Sequence, residues 1–447
     1  VGAGSACGEG GVVNEVLTLK AIKALPVWFF VAYGGGHVKA LLPVAQRVLA
    51  LGEARPVFLA LTTAAPLARA VPGLEVLGFQ DILALYSPEE QQRALLYGER
   101  LARDLAVAAA DPAETIAYLG LSYADLENQT GTDEAAQRYA QYGRQCFLPL
   151  GPLTRLLQKW RPTLVVTTNA PRAERAALQA ARNLAIPSVC LVDLLAILER
   201  PLLAQASYAD ALCVLNEGVR GSLITAGRVP ATVHTTGNPA FDGLCSDANR
   251  ALGVSYRQQA GWGSGCGSGS ENLHVLLYAS SPEPSEYPDV HGVGDPQFPR
   301  HVERALIDAV LANPRLALWI RRHPSEPACV IGQGGVPQHP RIQVSAPEMA
   351  LHGCLHGCDE VVVTMSTVGV EGHLAGKPVT QVAGSILSHF SPFETLGFAQ
   401  RTLALVDLAH AYASSYFQLL LLPVPAHTAG QAADRVLDVL RNTVGQP

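Results

Sequence analysis

Two hydrophobic rhythms alternate along the chain. Short runs of consecutive apolar residues, with no polar alternation inside them, fall at 27–33, 56–61, 74–78, 163–168, 186–193 and 211–215. Runs of this kind predict strands buried on both faces, as in a parallel sheet. Between them apolar residues recur at helical spacing. In 38–50 they are Leu41, Leu42, Val44, Ala45, Val48 and Leu49, with Gly52 placed to cap the helix end. A second helix is predicted over 172–184. The stretch 89–159 reads as mostly helical, with a polar break at Asn128-Gln-Thr-Gly131. The same alternation returns in the second half, with strands at 273–279, 316–321, 361–363 and 378–382 and helices at 302–311 and 428–442. Repeated β-α alternation predicts an α/β fold with doubly wound sheets.

Length turns this into an organisation. At 447 residues two domains of ordinary size are expected. Val233-His-Thr-Thr-Gly-Asn-Pro239 runs a strand into residues that break both helix and sheet, which makes it the predicted hinge. The expected plan is a lead-in over 1–22, an N-terminal domain over 23–240 and a C-terminal domain over 241–427. A closing helix over 428–447 would cross back to the first domain. The Gly/Ser-rich segment 258–272 follows no strand and is expected to be a flexible surface loop with no phosphate-binding role.

Charge and cysteine usage exclude some functions. The net charge of -6, with no basic stripe, disfavours nucleic acid as a partner. The nine cysteines have no paired spacing, and Cys190 and Cys213 lie in apolar runs. They read as reduced core residues of a cytoplasmic protein. Lys20, Lys23 and the apolar stretch from Leu25 superficially resemble a signal peptide, but a glycine turn follows, so a buried first strand is expected. No apolar run is long enough to predict a transmembrane helix; 418–424 is short and contains Pro423.

Candidate chemistry sits where predicted strands end, because ligands bind at the carboxyl edges of open parallel sheets. Gly34-Gly-Gly-His37 bares backbone N–H groups at Gly35 and Gly36. Its His37 is either a solvent-facing residue of a helix start or a base for an attacking hydroxyl. Asn169, Arg172, Glu174 and Asp193 follow strands in the first domain and are candidates for an acceptor side. Asn238 lies in the hinge turn. Arg321 and His323-Pro324 close a strand and could contact phosphate oxygens. Ser366 and Thr367 lead into a helix whose Glu371, one turn on, could reach a ribose diol; the bland alternative is an ordinary capped helix start. No Asp-x-Asp pair occurs, which argues against a divalent metal holding a diphosphate. His352-Gly-Cys-Leu-His-Gly-Cys358 lacks the pattern of a structural zinc site and reads as a helix end capped by Gly357.

Several of these segments resemble known sequences. Gly34-Gly-Gly-His37 is similar to the glycine-rich loop of GT-B glycosyltransferases of the MurG kind. Thr236-Gly-Asn-Pro-Ala-Phe-Asp242 and Glu371-Gly-His-Leu-Ala-Gly-Lys-Pro-Val379 resemble segments of the hydrolysing UDP-N-acetylglucosamine 2-epimerases. His323-Pro324 is similar to a step in those epimerases and to a motif of bacterial sialyltransferases. The resemblance spans about 27–382 and implies a GT-B fold, two Rossmann-like doubly wound domains facing a central cleft. It implies that Glu371 holds a nucleotide ribose and that the Ser366–Thr367 pair, glycines in the family, contacts the diphosphate. The epimerases' own N-terminal loop is replaced here by Tyr33-Gly-Gly-Gly-His37.

The function expected from this is metal-independent transfer of a sugar from a nucleotide-sugar donor, UDP-linked by the resemblance. Donor-binding residues would be Gly35, Gly36, Asn238, Arg321, His323, Ser366, Thr367 and Glu371, with His37 catalytic and no cofactor beyond the donor substrate. The acceptor is unspecified; a lipid-linked one would put the protein at the inner membrane face. The alternatives are a hydrolysing epimerase and a non-catalytic nucleotide-sugar binder.

Overall fold

The computed structural model describes residues 25–445 except 62, 104–110, 264–272, 288–289, 324, 327–334, 347 and 414–429. The chain forms two compact units. One comprises Val1–Asn216, Leu223–Ala240 and Ala432–Pro447, and the other Glu217–Ser222 and Phe241–Gln431.

The first unit holds a seven-stranded sheet of β1 (Val27–Ala32), β2 (Arg55–Ala60), β3 (Glu75–Leu77), β4 (Leu164–Thr168), β5 (Ser188–Leu191), β6 (Ala211–Val214) and β7 (Val233–Thr235), in the order β3-β2-β1-β4-β5-β6-β7. Every pairing is parallel. Consecutive residues of one strand feed opposite cores, since side chains alternate across a sheet. Trp28, Phe30 and Ala32 enter one apolar cluster with Phe58 and Val166, while Phe29 and Val31 enter the other with Val57 and Val165. That two-sided burial is why the strands read as unbroken apolar runs. The helix Ala432–Val444 packs against Gly36–Leu51, placing Val436, Leu437 and Leu440 in the core of this unit. Arg47 pairs with Asp434 at 2.7 Å along that contact.

The second unit repeats the plan with β8 (His274–Ala279), β9 (Leu316–Arg321), β10 (Ile342–Val344), β11 (Glu360–Val363), β12 (Val379–Ala383) and β13 (Arg401–Ala404), in the order β10-β9-β8-β11-β12-β13. All of these pairings are parallel too. β10 and β13 are edge strands that the apolar pattern does not predict: Gln343 and Thr402 interrupt one run each. The expected flexible loop over 258–272 is corrected in part. Gln258 and Gln259 end the helix Asp247–Gln259, and Trp262 is buried, tilted against Trp319 at 5.0 Å with its indole N–H donating to Pro340 O at 2.9 Å. Residues 264–272 and the lead-in 1–22 lie outside the described residues.

The amino edge of this sheet is closed by a buried carboxylate. Glu360, at the start of β11, accepts from Thr380 Oγ1 at 2.5 Å, Tyr412 Oη at 2.6 Å and Arg401 Nη2 at 3.0 Å, and lies 3.3 Å from His274 Nε2. Burial alone would raise its pKa; the His274 bond, the Arg401 charge and the two hydroxyls outweigh it and hold the pKa at about 2. A depressed carboxylate pKa stabilises the fold above the unfolded value of 4.5, and the contribution is lost as pH falls from there through about 2. Replacing Glu360 by Gln is expected to lower the unfolding free energy at pH 7 by roughly 3 kcal/mol. In urea titrations the gap from the parent should narrow as pH drops below 4.5; a gap independent of pH would mean the carboxylate is not held charged.

Candidate functional site

In each sheet the strand order reverses beside the first strand, β1 with β4 and β8 with β11, and such switch points open crevices at the carboxyl edge. In the first unit β1 runs into Tyr33 and the glycine turn. Gly35 has φ 68° and ψ −131°, a conformation that side chains with a Cβ resist, and the helix Gly36–Leu51 starts directly after it. His37 is the second residue of that helix. Its Nδ1 lies 2.9 Å from Oγ1 of Thr168, the last residue of β4. In the tautomer whose Nδ1–H donates to Thr168, Nε2 is the basic nitrogen.

Glu174, in the first turn of Ala173–Asn183, is buried and turns back under the same loop, accepting from Tyr33 N at 2.5 Å. The Arg172 guanidinium stands 5.1 Å from the Tyr33 ring centroid. Asn169 Oδ1 accepts from Asp193 N at 2.6 Å. A Cβ added to Gly36 would lie 3.9 Å from both Asp193 carboxyl oxygens, so that carboxyl group borders the glycine turn. Leu194 and Ala196, just beyond Asp193, have positive φ (43° and 53°), a strained backbone that aims this loop. The edge thus gathers His37, Asn169, Arg172, Glu174 and Asp193. Burial raises the pKa of both Glu174 and Asp193, against the opposing pull of the nearby His37. An imidazole flanked by two carboxyl groups biased toward their neutral forms can both take and give protons. Sequence reasoning missed Thr168 and Tyr33. The available signal was position: each stands at a strand end next to the reversal of strand order.

In the second unit β11 leads through Thr364 and Met365 to Ser366, which is buried, and Thr367, which is exposed. Ser366 Oγ accepts from Val368 N at 3.3 Å, fixing the start of the helix Val368–Leu374. Glycines let that helix lie close on the sheet: a Cβ at Gly372 would sit 2.8 Å from Val361, and one at Gly369 3.0 Å from Val363 and Phe393. Glu371 stands in its first turn with Oε2 3.1 Å from His352 Nε2.

At the end of β9, Arg321 donates to Met349 O at 2.9 Å and so ties down the loop after β10. Arg322 pairs with Glu303 at 2.8 Å, in a buried cluster with Arg300 and Glu326. Ser280 Oγ bonds Glu326 and accepts from His323 N at 3.3 Å, anchoring the His323 backbone to the end of β8. The His323 ring is exposed, and Ser325 N donates to its Nδ1 at 3.1 Å, which puts the ring proton on Nε2. Pro324 lies outside the described residues.

Asn238 belongs to the first unit, and its buried side chain accepts from Ala240 N at 2.9 Å to close its own turn. One expectation needs correcting. Gly357 does not cap the helix end: Leu351–Gly357 includes it, and Cys358 is the C-cap. His352 reaches Glu371, His356 reaches Leu244 O at 2.9 Å, and Cys354 and Cys358 are buried. Among the described residues no group of three or more His, Cys, Asp or Glu is placed to hold a metal ion. A hollow of 720 Å³ at the opposite edge of the first sheet, lined by Arg182, Ser188, Ser207, Asp210 and Thr443 among others, contains none of the candidate residues.

The two Rossmann-like units, each a parallel sheet with the same reversal of strand order, make this a GT-B fold. Solved structures of similar fold include the S. aureus MnaA–UDP co-structure, with TM-score 0.55 and 12% identity, covering 93% of this chain and 96% of that one. UDP-GlcNAc 2-epimerase from Neisseria meningitidis bound to UDP-GlcNAc aligns with TM-score 0.52 and 13% identity, over 93% and 100%. Acinetobacter baumannii MurG aligns with TM-score 0.52 and 14% identity, over 93% and 99%. No protein-family model and no curated protein sequence matches the chain. No helix among the described residues is long and apolar enough to cross a membrane.

A carboxyl group whose pKa rises on folding weakens the fold as pH climbs above its unfolded value, because the unfolded chain ionises first. Asp193→Asn is therefore expected to stabilise the protein at pH 8, with the gain vanishing near its unfolded value of 3.8. Thermal denaturation at the two pH values checks this; a loss of stability at pH 8 would contradict the assignment.

Proposed function

We propose that the chain is a metal-independent glycosyltransferase whose second unit binds a UDP-linked sugar and whose first unit supplies the acceptor-side groups. The observation that carries the reading is Glu371. Its carboxylate stands one turn beyond the Ser366–Thr367 loop, at the carboxyl edge of the second sheet, and one oxygen is oriented by an imidazole N–H. That leaves acceptor capacity for a ribose diol, while loop amides and the Thr367 hydroxyl suit a diphosphate. Solved structures of this fold that contain UDP or UDP-GlcNAc support the choice of nucleotide. On the first unit His37, oriented through Thr168, is the base that would take the acceptor proton as the nucleotide diphosphate leaves.

A second reading, a hydrolysing UDP-N-acetylglucosamine 2-epimerase, is favoured by one specific observation. Glu174, buried, and Asp193, half-buried, both lie near His37 with pKa values raised by desolvation, which suits proton removal from a sugar carbon. Incubation with UDP-GlcNAc and no acceptor distinguishes the two, since UDP release with a 2-epimerised sugar supports the epimerase.

Glu371→Ala is expected to weaken UDP binding at least about tenfold in calorimetry; unchanged affinity would refute the placement of the ribose. Turnover with the donor should persist in excess EDTA, and its abolition with rescue by added magnesium would refute metal independence. His37→Ala should cut kcat by about a hundredfold or more while UDP affinity stays the same.

A further inference from the structure

The side chain that meets Glu371 comes from a different helix. His352 opens the helix Leu351–Gly357 and places Nε2 3.1 Å from Glu371 Oε2. Behind it stands Asn249 of the helix Asp247–Gln259, whose Nδ2 donates to Gly243 O at 2.9 Å and Leu244 O at 3.2 Å. Those two carbonyls fix which end of the amide is nitrogen. The same nitrogen lies 3.4 Å from His352 Nδ1, but those two carbonyls take both of its protons; the proton on Nε2 follows from Glu371, whose carboxylate can only accept.

The mount for His352 is rigid. A Cβ at Gly353 would sit 2.5 Å from the Tyr256 ring, and one at Gly253 would sit 2.6 Å from His356 Cβ, so these two helices pack at glycine distance. His356, one turn after His352, bonds Leu244 O at 2.9 Å and grips the same segment that Asn249 caps. The His352 side chain remains 34% exposed and that of Glu371 16%, so the pair is reachable from solvent.

We propose that His352 is a positioning residue that holds the Glu371 carboxylate in the rotamer needed to accept from both hydroxyls of a nucleotide ribose, and thereby sets the preference for ribo- over deoxyribonucleotides. The proposal rests on the reading of Glu371 as the ribose ligand. Without the imidazole N–H the carboxylate is free to rotate, and the two-hydroxyl geometry is lost more than any single contact.

The test is calorimetric titration of the full chain with UDP and with 2′-deoxy-UDP. The parent protein should prefer UDP. His352→Phe should weaken UDP about tenfold and leave 2′-deoxy-UDP nearly unchanged, so that the preference collapses. His352→Gln, whose amide nitrogen falls near the position of Nε2, should restore it. Should the Phe variant fail to fold, His352→Asn, whose amide is too short to reach Glu371, takes its place. Equal weakening of both nucleotides, or no rescue by Gln, would overturn the proposal in favour of a merely structural histidine. Glu371→Ala separates the two levels. If it leaves the preference intact, the ribose reading itself falls. If it abolishes the preference while the His352 variants keep it, only the role of His352 falls.

Discussion

Both sheets are parallel throughout, and that one constraint governs where chemistry can occur. A parallel strand must be followed by a crossover, so helices cover both faces and the strand interiors become apolar. Polar groups are left with the two edges. At the amino edges they are consumed by the fold. Glu360 binds together the starts of β8, β11, β12 and β13. Arg257, almost fully buried, donates to Leu273 O, Gly357 O and Asp359, and Arg228 donates to Gln205 O and Ala209 O. Each satisfies loop carbonyls that a buried connection would otherwise leave bare. With the amino edges committed in this way, the carboxyl edges are free to hold side chains that face a ligand.

Close approach is the second ingredient. Gly369 and Gly372 let a two-turn helix press onto β11, and Gly253 and Gly353 do the same between the helices that carry Asn249 and His352. A short helix has little stability of its own. Its position is set by contact with the sheet, and the carboxylate it presents inherits the rigidity of the sheet. At Gly372 an alanine would meet Val361 in a core with no room to give, so the small residues near Glu371 belong to the geometry of the site as much as the charged ones do.

What the sequence revealed and what it hid follow from the same physics. Central strands such as Phe29–Ala32 and Val361–Val363 are buried on both faces, so periodicity alone exposes them. Edge strands β10 and β13 are half-exposed and carry Gln343 and Thr402, which breaks the signal. The helix Asp247–Gln259 runs into a glycine-rich segment, whose composition argues for a loop from 258 although Gln258 and Gln259 are helical and Trp262 is a core residue. Among the candidates, His37, Glu174, Asp193 and Glu371 stand out in sequence because a titratable side chain just past a strand end is conspicuous. Thr168 was not, because a threonine at the end of an apolar run is ordinary in sequence and acquires meaning only when the reversal between β1 and β4 sets it 2.9 Å from His37. His352 was weighed as a metal ligand, since spacing within its own helix cannot reveal a partner nineteen residues away on another one.

The carboxyl groups of the two units have been given opposite environments, and this bears on their division of labour. Glu174 is buried and Asp193 half-buried, so desolvation favours their neutral forms and makes them suited to exchanging protons. Glu371 keeps contact with solvent and with an imidazole N–H, the setting of a carboxylate that binds by accepting hydrogen bonds. A carboxyl group withdrawn from water costs stability even where a backbone N–H meets it, as Tyr33 N does for Glu174. On the proposed reading, their place beside His37 at the switch point of the first sheet gives that unit the proton-handling groups and leaves Glu371 to bind.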